Sequence, residues 1–381
     1  MKIAVFQKLV KGGAQRAFIE LTKFLSKDHY VDIYTIYFEK EDLSELILLN
    51  KYVKNIFKFR CVRFYLKSPF GFLNIFVNFI NLYFLDRLYF QIAKNIDLKN
   101  YDLVLSHASY FDFIHAPAIL RYLSTRCIYY CQEPFSRCFE KDPFSKFHSN
   151  NPLYLIGYKL YRFLFYKYDY FNVRHADLVL CNSYYTKEHI YKEYMISSKV
   201  NYLGVDIERF RPLDLERENL VLSIGHLDYR KGHHLAIEAL GEIPFDLRPR
   251  LIIISPLSKD GPYKQYLEHL ARIKGVEISF YKDLVDDELI FLYNKAKLTV
   301  CAYIKEPFGL VCLESLACST PVVAVEGGGL KEIIINNENG ILVRADVKEI
   351  ASAIEYLLKN ESIRKIMGDK ARSYIIERWG W

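Results

Sequence analysis

Two glutamates, Glu306 and Glu314, stand eight positions apart in the stretch EPFGLVCLE (306–314). The stretch is typical of a loop that enters a helix, so Glu306 would lie just before the helix and Glu314 within it. There, Glu306 can reach sugar hydroxyls, and Glu314 can accept two hydrogen bonds from a ribose diol. The alternative is an ordinary helix cap followed by a surface glutamate, because acidic residues favour helix starts.

The residues between the two acids suit an anion. Pro307 is predicted in the first helical turn, where its missing N–H costs nothing. Gly309 removes side-chain bulk at a point where a ligand would approach the backbone. The N–H groups of Phe308, Gly309 and Leu310 would then lie at a helix N-terminus. Such an end is a favourable site for a diphosphate.

A second candidate anion site lies upstream in VLSIGHLDYRKGHHLAIEAL (221–240). Here Arg230 and Lys231 follow a strand and precede a helix. Adjacent cations can neutralise a leaving diphosphate, since Arg offers a two-pronged donor and Lys a point charge. Taken alone, RKG is more typical of a solvated turn. Further along, the three glycines at 327–329 indicate another tight turn after a strand.

The elements that would position these residues form two series of parallel strands. Apolar segments alternate with helix-like segments, as in parallel sheets covered on both faces. We therefore expect two doubly wound, Rossmann-like domains, 1–203 and 204–381, with 201–219 as the linker and a last helix able to pack back on the first domain. The predicted strands are KIAVFQ (2–7), VDIYTIYF (31–38), YDLVLSHAS (101–109), RCIYYCQE (126–133), ADLVLCNS (176–183), NLVLSIG (219–225), RLIIIS (250–255), VEISFYKD (276–283), AKLTVCAY (296–303) and TPVVAVEGGG (320–329).

In doubly wound sheets, ligands bind beyond the carboxyl ends of the strands. The polar and glycine residues that could serve a ligand follow the predicted strands, so we expect them at those edges, with the two edges facing each other across a cleft. They are Gly12, Gly13, His107, Gln132, Asn182, His226, Glu306 and the glycines at 327–329.

Composition excludes several classes of protein. The eight cysteines form no Cys-x-x-Cys pair and no Cys/His ligand spacing, so a disulfide framework or zinc site is not expected, and a reducing compartment fits better. His233 and His234 lack a second cluster of metal ligands and are expected in the core or in solvent. The N-terminus runs straight into a strand, without the apolar core of a signal peptide. We therefore expect a cytoplasmic protein.

The combination of motifs resembles the retaining, nucleotide-sugar-dependent glycosyltransferases of the GT-B fold, in particular glycosyltransferase family 4. The resemblance covers nearly the whole chain, and its most specific part is the Glu-x7-Glu block with the following GG-x-x-E. The matching segments, in the order of the family, are GGAQR, ADLVLCNSYYTKEHI, YLGVDIERFRP, IGHLDYRKG, DDELIFLYNKA, KEPFGLVCLESLACSTPVVA and GGGLKEII.

The resemblance implies a role for each matching residue. Glu306 would contact the donor sugar, and Glu314 the ribose. The diphosphate would be held by Arg230 and Lys231, with the backbone at Gly12 and Gly13 closing over the same phosphates. The backbone at Phe308, Gly309 and Leu310 would bind the donor sugar or its phosphates. Candidates for contact with the acceptor, or for lining the cleft, are His107 and Asn182.

The implied reaction transfers a hexose, mannose or glucose by family frequency, from GDP or UDP with retention of configuration. The acceptor would be a glycan or a lipid-linked molecule. The family is described as using a front-face mechanism, in which the leaving phosphate helps to deprotonate the acceptor. No Asp-x-Asp is present, so neither a bridging metal nor another cofactor is expected.

Two positions depart from the family pattern and leave an alternative open. His226 stands in IGHL where relatives commonly carry Arg, and Gln132 stands in YYCQEPF where many carry His. His226 is a weaker cation near neutral pH. Gln132 can hydrogen-bond a sugar hydroxyl but cannot carry charge. The alternative is a catalytically inactive subunit that binds nucleotide sugar or glycan.

Two basic, aromatic segments, 53–90 and 154–171, predict either a membrane surface or a buried helix with a solvated basic flank. Residues 51–100 contain 9 Lys and Arg against 2 Asp and Glu. Basic residues beside large aromatics suit an interfacial helix on anionic lipid. The interruptions by Asn, Asp86 and Arg87 argue against a spanning helix. No nucleic-acid-binding module accompanies the charge, so no nucleic acid partner is expected.

Rival enzyme classes fit less well. Gly12 and Gly13 after a strand, with Asp32 some twenty residues on, imitate a dinucleotide site, but KGGAQR lacks the Gly-x-Gly-x-x-Gly spacing of a dehydrogenase. An epimerase of the same fold would need an acid/base set that is not apparent.

Overall fold

The computed structural model describes residues 1–8, 12–38, 49–64, 71–107, 110–111, 114–134, 152–255 and 261–381. The described residues up to Tyr202 form one compact unit, and Leu203–Trp381 belong to the other. The division falls one residue before the boundary predicted from the sequence. Each unit contains one parallel sheet with its own core.

The sheet of the first unit has seven strands in the order β3-β2-β1-β4-β7-β8-β9, and every neighbouring pair is parallel. A separate antiparallel pair, β5 and β6, follows β4. The strands are β1 Lys2–Phe6, β2 Tyr30–Tyr37, β3 Asn55–Arg60, β4 Leu103–His107, β5 Tyr110–Phe111, β6 Ile114–His115, β7 Cys127–Cys131, β8 Leu178–Cys181 and β9 Lys199–Val200.

Helices cover this sheet because its central strands are apolar along their length. Two long helices, α2 and α3, pack against each other and against the 3-10 helix Ala116–Tyr122. Together with one face of the sheet they enclose a core rich in buried tyrosine. The α-helices of the first unit are α1 Gly13–Leu25, α2 Gly71–Asp97, α3 Pro152–Val173 and α4 Tyr184–Tyr194.

The second unit contains six parallel strands in the order β12-β11-β10-β13-β14-β15. The strands are β10 Leu220–Ile224, β11 Arg250–Ser255, β12 Ile278–Lys282, β13 Leu298–Cys301, β14 Val322–Val325 and β15 Gly340–Val343. The helices are α5 His233–Glu242, α6 Pro262–Lys274, α7 Asp286–Lys295, α8 Leu310–Ala317, α9 Leu330–Ile333, α10 Val347–Lys359 and α11 Glu361–Arg378.

These two parallel, doubly wound sheets confirm the predicted fold class. All ten predicted strands are present, each within a few residues of its predicted bounds. The prediction missed β3, β9 and β15, and also the short antiparallel pair β5 and β6. The segment of β3, NIFKFR, was interpreted as a basic flank because it contains a lysine and an arginine. In the structure it is an edge strand, where partly exposed charged residues can alternate with aromatic ones.

The stretch 201–219, predicted as a linker, is bound to the second unit, so that interpretation was wrong. Arg372 of α11 donates from Nη1 to the Phe210 carbonyl over 2.7 Å. The Arg217 guanidinium donates from Nη2 to the Ser319 carbonyl over 2.9 Å. A polar, turn-rich composition does not reveal these contacts, because their partners lie about 100 or more residues further along the chain.

Candidate functional site

The candidate site of the second unit is built from the loops that follow β10, β13 and β14. These strands are neighbours, since β13 lies between β10 and β14 in the sheet. Their carboxyl ends therefore meet at one edge, although β11 and β12 intervene in the sequence. The β10 loop carries Arg230 and Lys231, the β13 loop carries Glu306, and the β14 loop carries the glycines at 327–329.

Lys231 and Glu306 form an ion pair across this edge. Lys231 Nζ lies 2.7 Å from Glu306 Oε2, and the two side chains are 26% and 16% exposed. The ammonium also lies 4.8 Å from the centre of the Tyr303 ring, where a cation–π attraction adds to the pairing. The structure thus unites two predicted site residues that are 75 positions apart.

Arg230 points its guanidinium at a neighbouring acid of the same loop. Nε lies 3.1 Å from Asp228 Oδ1, and Nη2 lies 3.0 Å from Asp228 Oδ2. Burial raises the pKa of Asp228, but the hydrogen bonds and charge of Arg230 outweigh it and leave that pKa below its ordinary value. The Arg230 carbonyl accepts from the N–H of Ile304 over 2.9 Å, which ties this loop to the β13 loop.

Glycines allow the β14 loop to approach the β13 loop closely. A Cβ on Gly328 would lie 1.9 Å from the carbonyl oxygen of Glu306, and the residue has φ +60°. The next N–H, that of Gly329, donates to the same carbonyl over 2.8 Å. The predicted tight turn therefore holds the backbone of Glu306 directly.

Helix α8 begins at Leu310, so the prediction that Pro307 occupies its first turn was wrong. The reason is Gly309, whose φ of 115° interrupts the helical backbone one residue before the helix starts. The N–H groups of Gly309, Leu310 and Val311 lie at the helix end and have no intrahelical acceptor. Phe308 precedes this end, and its buried ring packs 5.8 Å from the ring of Trp379.

Glu314 is buried rather than exposed, which excludes the alternative of a surface glutamate. It is 3% exposed, and its Oε2 accepts from the hydroxyl of Tyr293 over 2.9 Å. A carboxylate at this depth needs donors, and Tyr293 supplies one. Contact with a ribose stays a prediction.

His226 and His233 belong to one hydrogen-bonded group beneath the β10 loop. Buried His233 Nδ1 lies 2.8 Å from Ser223 Oγ, and its Nε2 lies 3.1 Å from the His226 carbonyl. Both ring nitrogens are satisfied with His233 neutral, and burial lowers its pKa to about 4. Burial lowers the pKa of His226 too, and the charge of Lys231 adds to that effect. His234 is also buried, so of the two predicted places, core and solvent, it occupies the core.

In the first unit, the predicted residues lie at the carboxyl edge of the sheet. Gln132 Nε2 lies 3.1 Å from Nε2 of His107, which is fully buried and stacks on the ring of Tyr130. Asn182 follows β8 and is 3% exposed. Gly12 caps α1, and Gly13 is the first residue of that helix. The structure therefore brings His107 and Gln132 into contact.

Three residues of the site were missed from the sequence. Asp228 orients Arg230, Tyr293 donates to Glu314, and Tyr303 lies under Lys231. Asp228 stands two positions before Arg230 and could have been inferred as a local ion-pair partner. The two tyrosines carry no local signal among the 31 tyrosines of the chain.

Comparison with known families now identifies the chain. The model described as Glycosyltransferase Family 4 matches residues 11–209, and the model described as Glycosyl transferases group 1 matches residues 205–374. The chain belongs to glycosyltransferase family 4. Curated relatives include an uncharacterized glycosyltransferase of Methanocaldococcus jannaschii, 33% identical over 43% of this chain and 42% of that protein. A D-inositol 3-phosphate glycosyltransferase of Acidothermus cellulolyticus is 34% identical over 41% of this chain and 39% of that one. The chain thus matches about two fifths of the length of these relatives.

Solved structures agree with the GT-B fold. The sucrose-phosphate synthase of Thermosynechococcus elongatus matches with a TM-score of 0.73 at 18% identity, over 100% of this chain and 95% of that one. HepE of Anabaena, solved with UDP-glucose, matches with a TM-score of 0.70 at 19% identity, over 100% and 96% of the two chains. At such identities the likeness establishes the fold alone, and it confirms two Rossmann-like units of GT-B type.

Within the ranges that the structure describes, no group of three or more His, Cys, Asp or Glu side chains is arranged to hold a metal ion. None of the helices in the described part of the chain is both long and apolar enough to cross a bilayer.

Proposed function

We propose that this family 4 protein is a retaining glycosyltransferase that moves a hexose from a nucleoside-diphosphate sugar to a hydroxyl of an acceptor. The observation that carries the proposal is the ion pair between Lys231 and Glu306, at the same sheet edge as the free helix end at Gly309. One edge therefore offers a cation and backbone donors for a diphosphate, together with a carboxylate for sugar hydroxyls.

In the proposed reaction, the bond between the anomeric carbon and the diphosphate oxygen breaks. A bond from the same carbon to the acceptor oxygen forms on the same face. The acceptor proton passes to the leaving phosphate, so the products are the glycoside and the nucleoside diphosphate. Lys231 and the amides at the start of α8 stabilise the growing negative charge on that phosphate.

Glu306 acts on the sugar side of the same bond. Its carboxylate accepts hydrogen bonds from hydroxyls of the hexose, and its negative charge stabilises the positive charge that develops at the anomeric carbon. Glu314 acts on the ribose from its place inside α8. Held by Tyr293, it presents a fixed acceptor and loses little conformational freedom when the nucleotide binds.

We propose UDP or GDP as the nucleotide and glucose or mannose as the hexose, with no metal or other cofactor. HepE, whose fold this chain shares, was solved with UDP-glucose. The inositol phosphate glycosyltransferases among the relatives indicate that polyhydroxylated, phosphate-bearing acceptors occur in this family. We propose a cytoplasmic setting, because the eight cysteines of the sequence show no disulfide-framework spacing and fit a reducing compartment.

We further propose that the first unit docks on an anionic bilayer and takes a lipid-linked acceptor there, at the cytoplasmic face. Helix α3 leaves apolar side chains in solvent about two turns apart on one side: Phe163 is 55% exposed and Phe171 is 53% exposed. Lys167 lies between them, with Nζ 5.6 Å from the centre of the Phe163 ring. The one acidic residue of this helix, Asp169, is buried and accepts from the Tyr194 hydroxyl.

Helix α2 repeats the pattern beside it. Tyr83 and Phe90 are 55% and 53% exposed, and the Arg87 guanidinium lies 5.2 Å from the centre of the Tyr83 ring. The two acidic residues of this helix have partners within the first unit. Asp86 forms an ion pair with Arg121, and Asp97 accepts a hydrogen bond from the backbone N–H of Ser124. The exposed side of each helix supports the proposed docking, and the buried side fits the alternative interpretation of a core helix with a basic flank. One face of each helix is core, and the other carries aromatic and basic side chains suited to an interface.

The reaction is tested by measuring release of free UDP and GDP from a panel of nucleotide sugars, with and without a lipid-phosphate acceptor. Wild type should release nucleotide from one donor, and Glu306→Gln should lose most of that release while it still unfolds cooperatively in a thermal melt. Anomeric configuration of the product is read by NMR, and inversion would refute the retaining mechanism.

Bilayer docking is tested by sedimentation with phosphatidylcholine vesicles, with or without phosphatidylglycerol. The double variant Phe163→Ser/Lys167→Glu should lose binding to the anionic vesicles. Phe245→Ser is the matched control, because Phe245 is 82% exposed on the second unit. Equal binding of both variants, or binding that ignores phosphatidylglycerol, would refute this surface.

A second candidate is a subunit that binds nucleotide sugar without transferring it. The observation that favours it is His226, whose pKa is lowered by burial, so the β10 loop contains an uncharged ring where relatives commonly carry a cation. Tight nucleotide-sugar binding with no release from any donor would support this candidate. Turnover that depends on Glu306 would exclude it.

A further inference from the structure

Gln7 follows β1 directly, and its side-chain amide is buried without a partner. The residue is 1% exposed. Among the residues that the structure describes, none hydrogen-bonds to Nε2 or Oε1 of this side chain. The backbone is satisfied, because its N–H donates to the Tyr34 carbonyl over 3.1 Å. A buried amide in this state destabilises the fold, so its presence calls for a reason.

The strand register places Gln7 in the ligand-facing edge of the first unit. In the pairing of β1 with β4, Phe6 lies opposite Ser106, so the next residues, Gln7 and His107, reach the same level. In the pairing of β4 with β7, His107 lies opposite Tyr130. Gln7 therefore lies at the carboxyl edge of the sheet, directly after β1, and His107 ends the neighbouring strand β4.

Gln7 also shares a sheet face with His107 and Gln132. Phe6 packs in the core beneath α2, and side chains alternate along a strand, so Gln7 lies on the opposite face. His107 belongs to that opposite face, since its ring lies 5.7 Å from the ring of Phe18 on α1. Gln132 hydrogen-bonds to His107. The three side chains form a row, Gln7–His107–Gln132, across three neighbouring strands, and partly exposed Gln132 is its outer end.

We propose that Gln7 binds a hydroxyl of the carbohydrate substrate at the inner end of this row, an inference that rests on the proposed function. An amide matches a hydroxyl in both directions, because its NH₂ donates to the hydroxyl oxygen and its carbonyl accepts the hydroxyl proton. Both ends of the row are uncharged amides, which suit a neutral hydroxyl better than a phosphate. The hydroxyl belongs either to the donor sugar or to the acceptor.

The chain contains a matched control for a buried, unpaired amide. Asn172 is fully buried, and neither of its side-chain amide atoms has a partner within the described ranges. It lies in the last turn of α3, just before the amino end of β8, and so at the edge of the sheet opposite to Gln7. Replacing either amide by an apolar group removes an unsatisfied polar group, but only the change at Gln7 removes a ligand contact.

The experiment compares Gln7→Met, Gln7→Asn and Asn172→Leu with wild type. We expect Gln7→Met to melt at or above the wild-type temperature. We also expect the KM of one substrate to rise about 10-fold or more in this variant, because a buried hydroxyl would lose its partner. Gln7→Asn, whose amide is one methylene shorter, should show the same change in KM. Asn172→Leu should keep wild-type kinetics.

Two titrations identify the source of the hydroxyl. A raised KM for the nucleotide sugar at saturating acceptor assigns the donor hexose, and a raised KM for the acceptor at saturating donor assigns the acceptor. Wild-type kinetics in Gln7→Met would overturn the inference and leave a buried water as the partner of Gln7. A loss of folding in both Gln7 variants would overturn it too, because it would reveal a structural partner.

The failure of this inference can be told from failure of the proposed function. A wild-type protein with no turnover, and no thermal shift with nucleotide sugar beyond that with the nucleotide alone, refutes both. Wild-type turnover together with unchanged kinetics in Gln7→Met refutes the role of Gln7 alone.

Discussion

Replacing Lys231 by Met removes the charge that links Glu306 to the proposed diphosphate site. At the 2.7 Å separation of Nζ and Oε2, the Coulomb attraction is about 6 kcal/mol for an effective dielectric constant of about 20. Desolvation and competition with water offset most of this energy. Since the side chains stay 26% and 16% exposed, we expect a net loss of about 1–3 kcal/mol in stability.

Lys231→Met should also slow sugar transfer, as measured by kcat/KM. A preorganised donor to a developing oxyanion contributes about 3 kcal/mol, so kcat/KM should fall about 10²-fold in Lys231→Met. Glu306→Gln should cause a similar loss. Because the two side chains act as one hydrogen-bonded unit, the double variant should be little worse than either single variant.

The assay is a double-mutant cycle in kcat/KM, with nucleotide release as the readout and melting temperature measured in parallel. Lys295→Met is the control, because Lys295 pairs with Glu218 over 3.3 Å near the amino ends of the strands. This control should stay within about twofold of wild type, as is usual for a surface pair. A product of two independent 10²-fold losses in the double variant, or a loss below threefold in Lys231→Met, would show that the pair is not a catalytic unit.

Three further predictions concern the support of this site. Folding stability should fall as the pH is lowered from about 6.5 to about 4, because His233 binds a proton in the unfolded chain but stays neutral in the fold, where its pKa is lowered to about 4. The variant His233→Gln should flatten the pH dependence of the melting temperature in this window. An unchanged curve would contradict the assignment. Gly328→Ala should lower the melting temperature by several degrees, since its Cβ would lie 1.9 Å from the Glu306 carbonyl oxygen. The control Gly327→Ala should melt near wild type, because the nearest neighbour of its Cβ is 4.0 Å away. Equal melting temperatures of the two variants would argue against the close approach. Tyr293→Phe should raise the KM for the nucleotide sugar more than it lowers kcat, because Glu314 loses a donor at 2.9 Å, and steady-state kinetics with a change in kcat alone would oppose a role in ribose binding.

Local patterns were enough to predict most of the architecture. Continuous apolar runs such as NLVLSIG (219–225) indicate strands buried on both faces, and the alternation with helices indicates parallel sheets. The motif from Glu306 to Glu314 indicated a ligand site because its residue types serve no need of a core. The wrong placement of Pro307 shows the limit of this reasoning. Proline suits a first turn in general, but the positive φ of Gly309 delays the helix until Leu310.

Local sequence patterns were insufficient where the structure of a segment depends on its exposure or on contacts with distant residues. NIFKFR forms the edge strand β3, yet its charges resemble a solvated flank. The stretch 201–219 resembles a linker, yet Arg372 donates to its Phe210 carbonyl, and its own Arg217 donates to the Ser319 carbonyl, so both bonds anchor it to the second unit. Neither result follows from neighbours in the sequence, because each depends on which surface the segment covers.

The sequence alone thus determined the strands, the order of the helices and the residue types available for chemistry, since these depend on periodicity and local backbone preference. Tertiary structure decided which of those residues meet. Lys231 pairs with Glu306 because the crossover topology places β13 next to β10, past two strands that intervene in the chain. In the sequence, Gln7 resembles the end of an ordinary strand, and only the register with β4 places it level with His107, which Gln132 contacts. Long-range strand order is set by burial of the whole sheet, and no short stretch of sequence carries it.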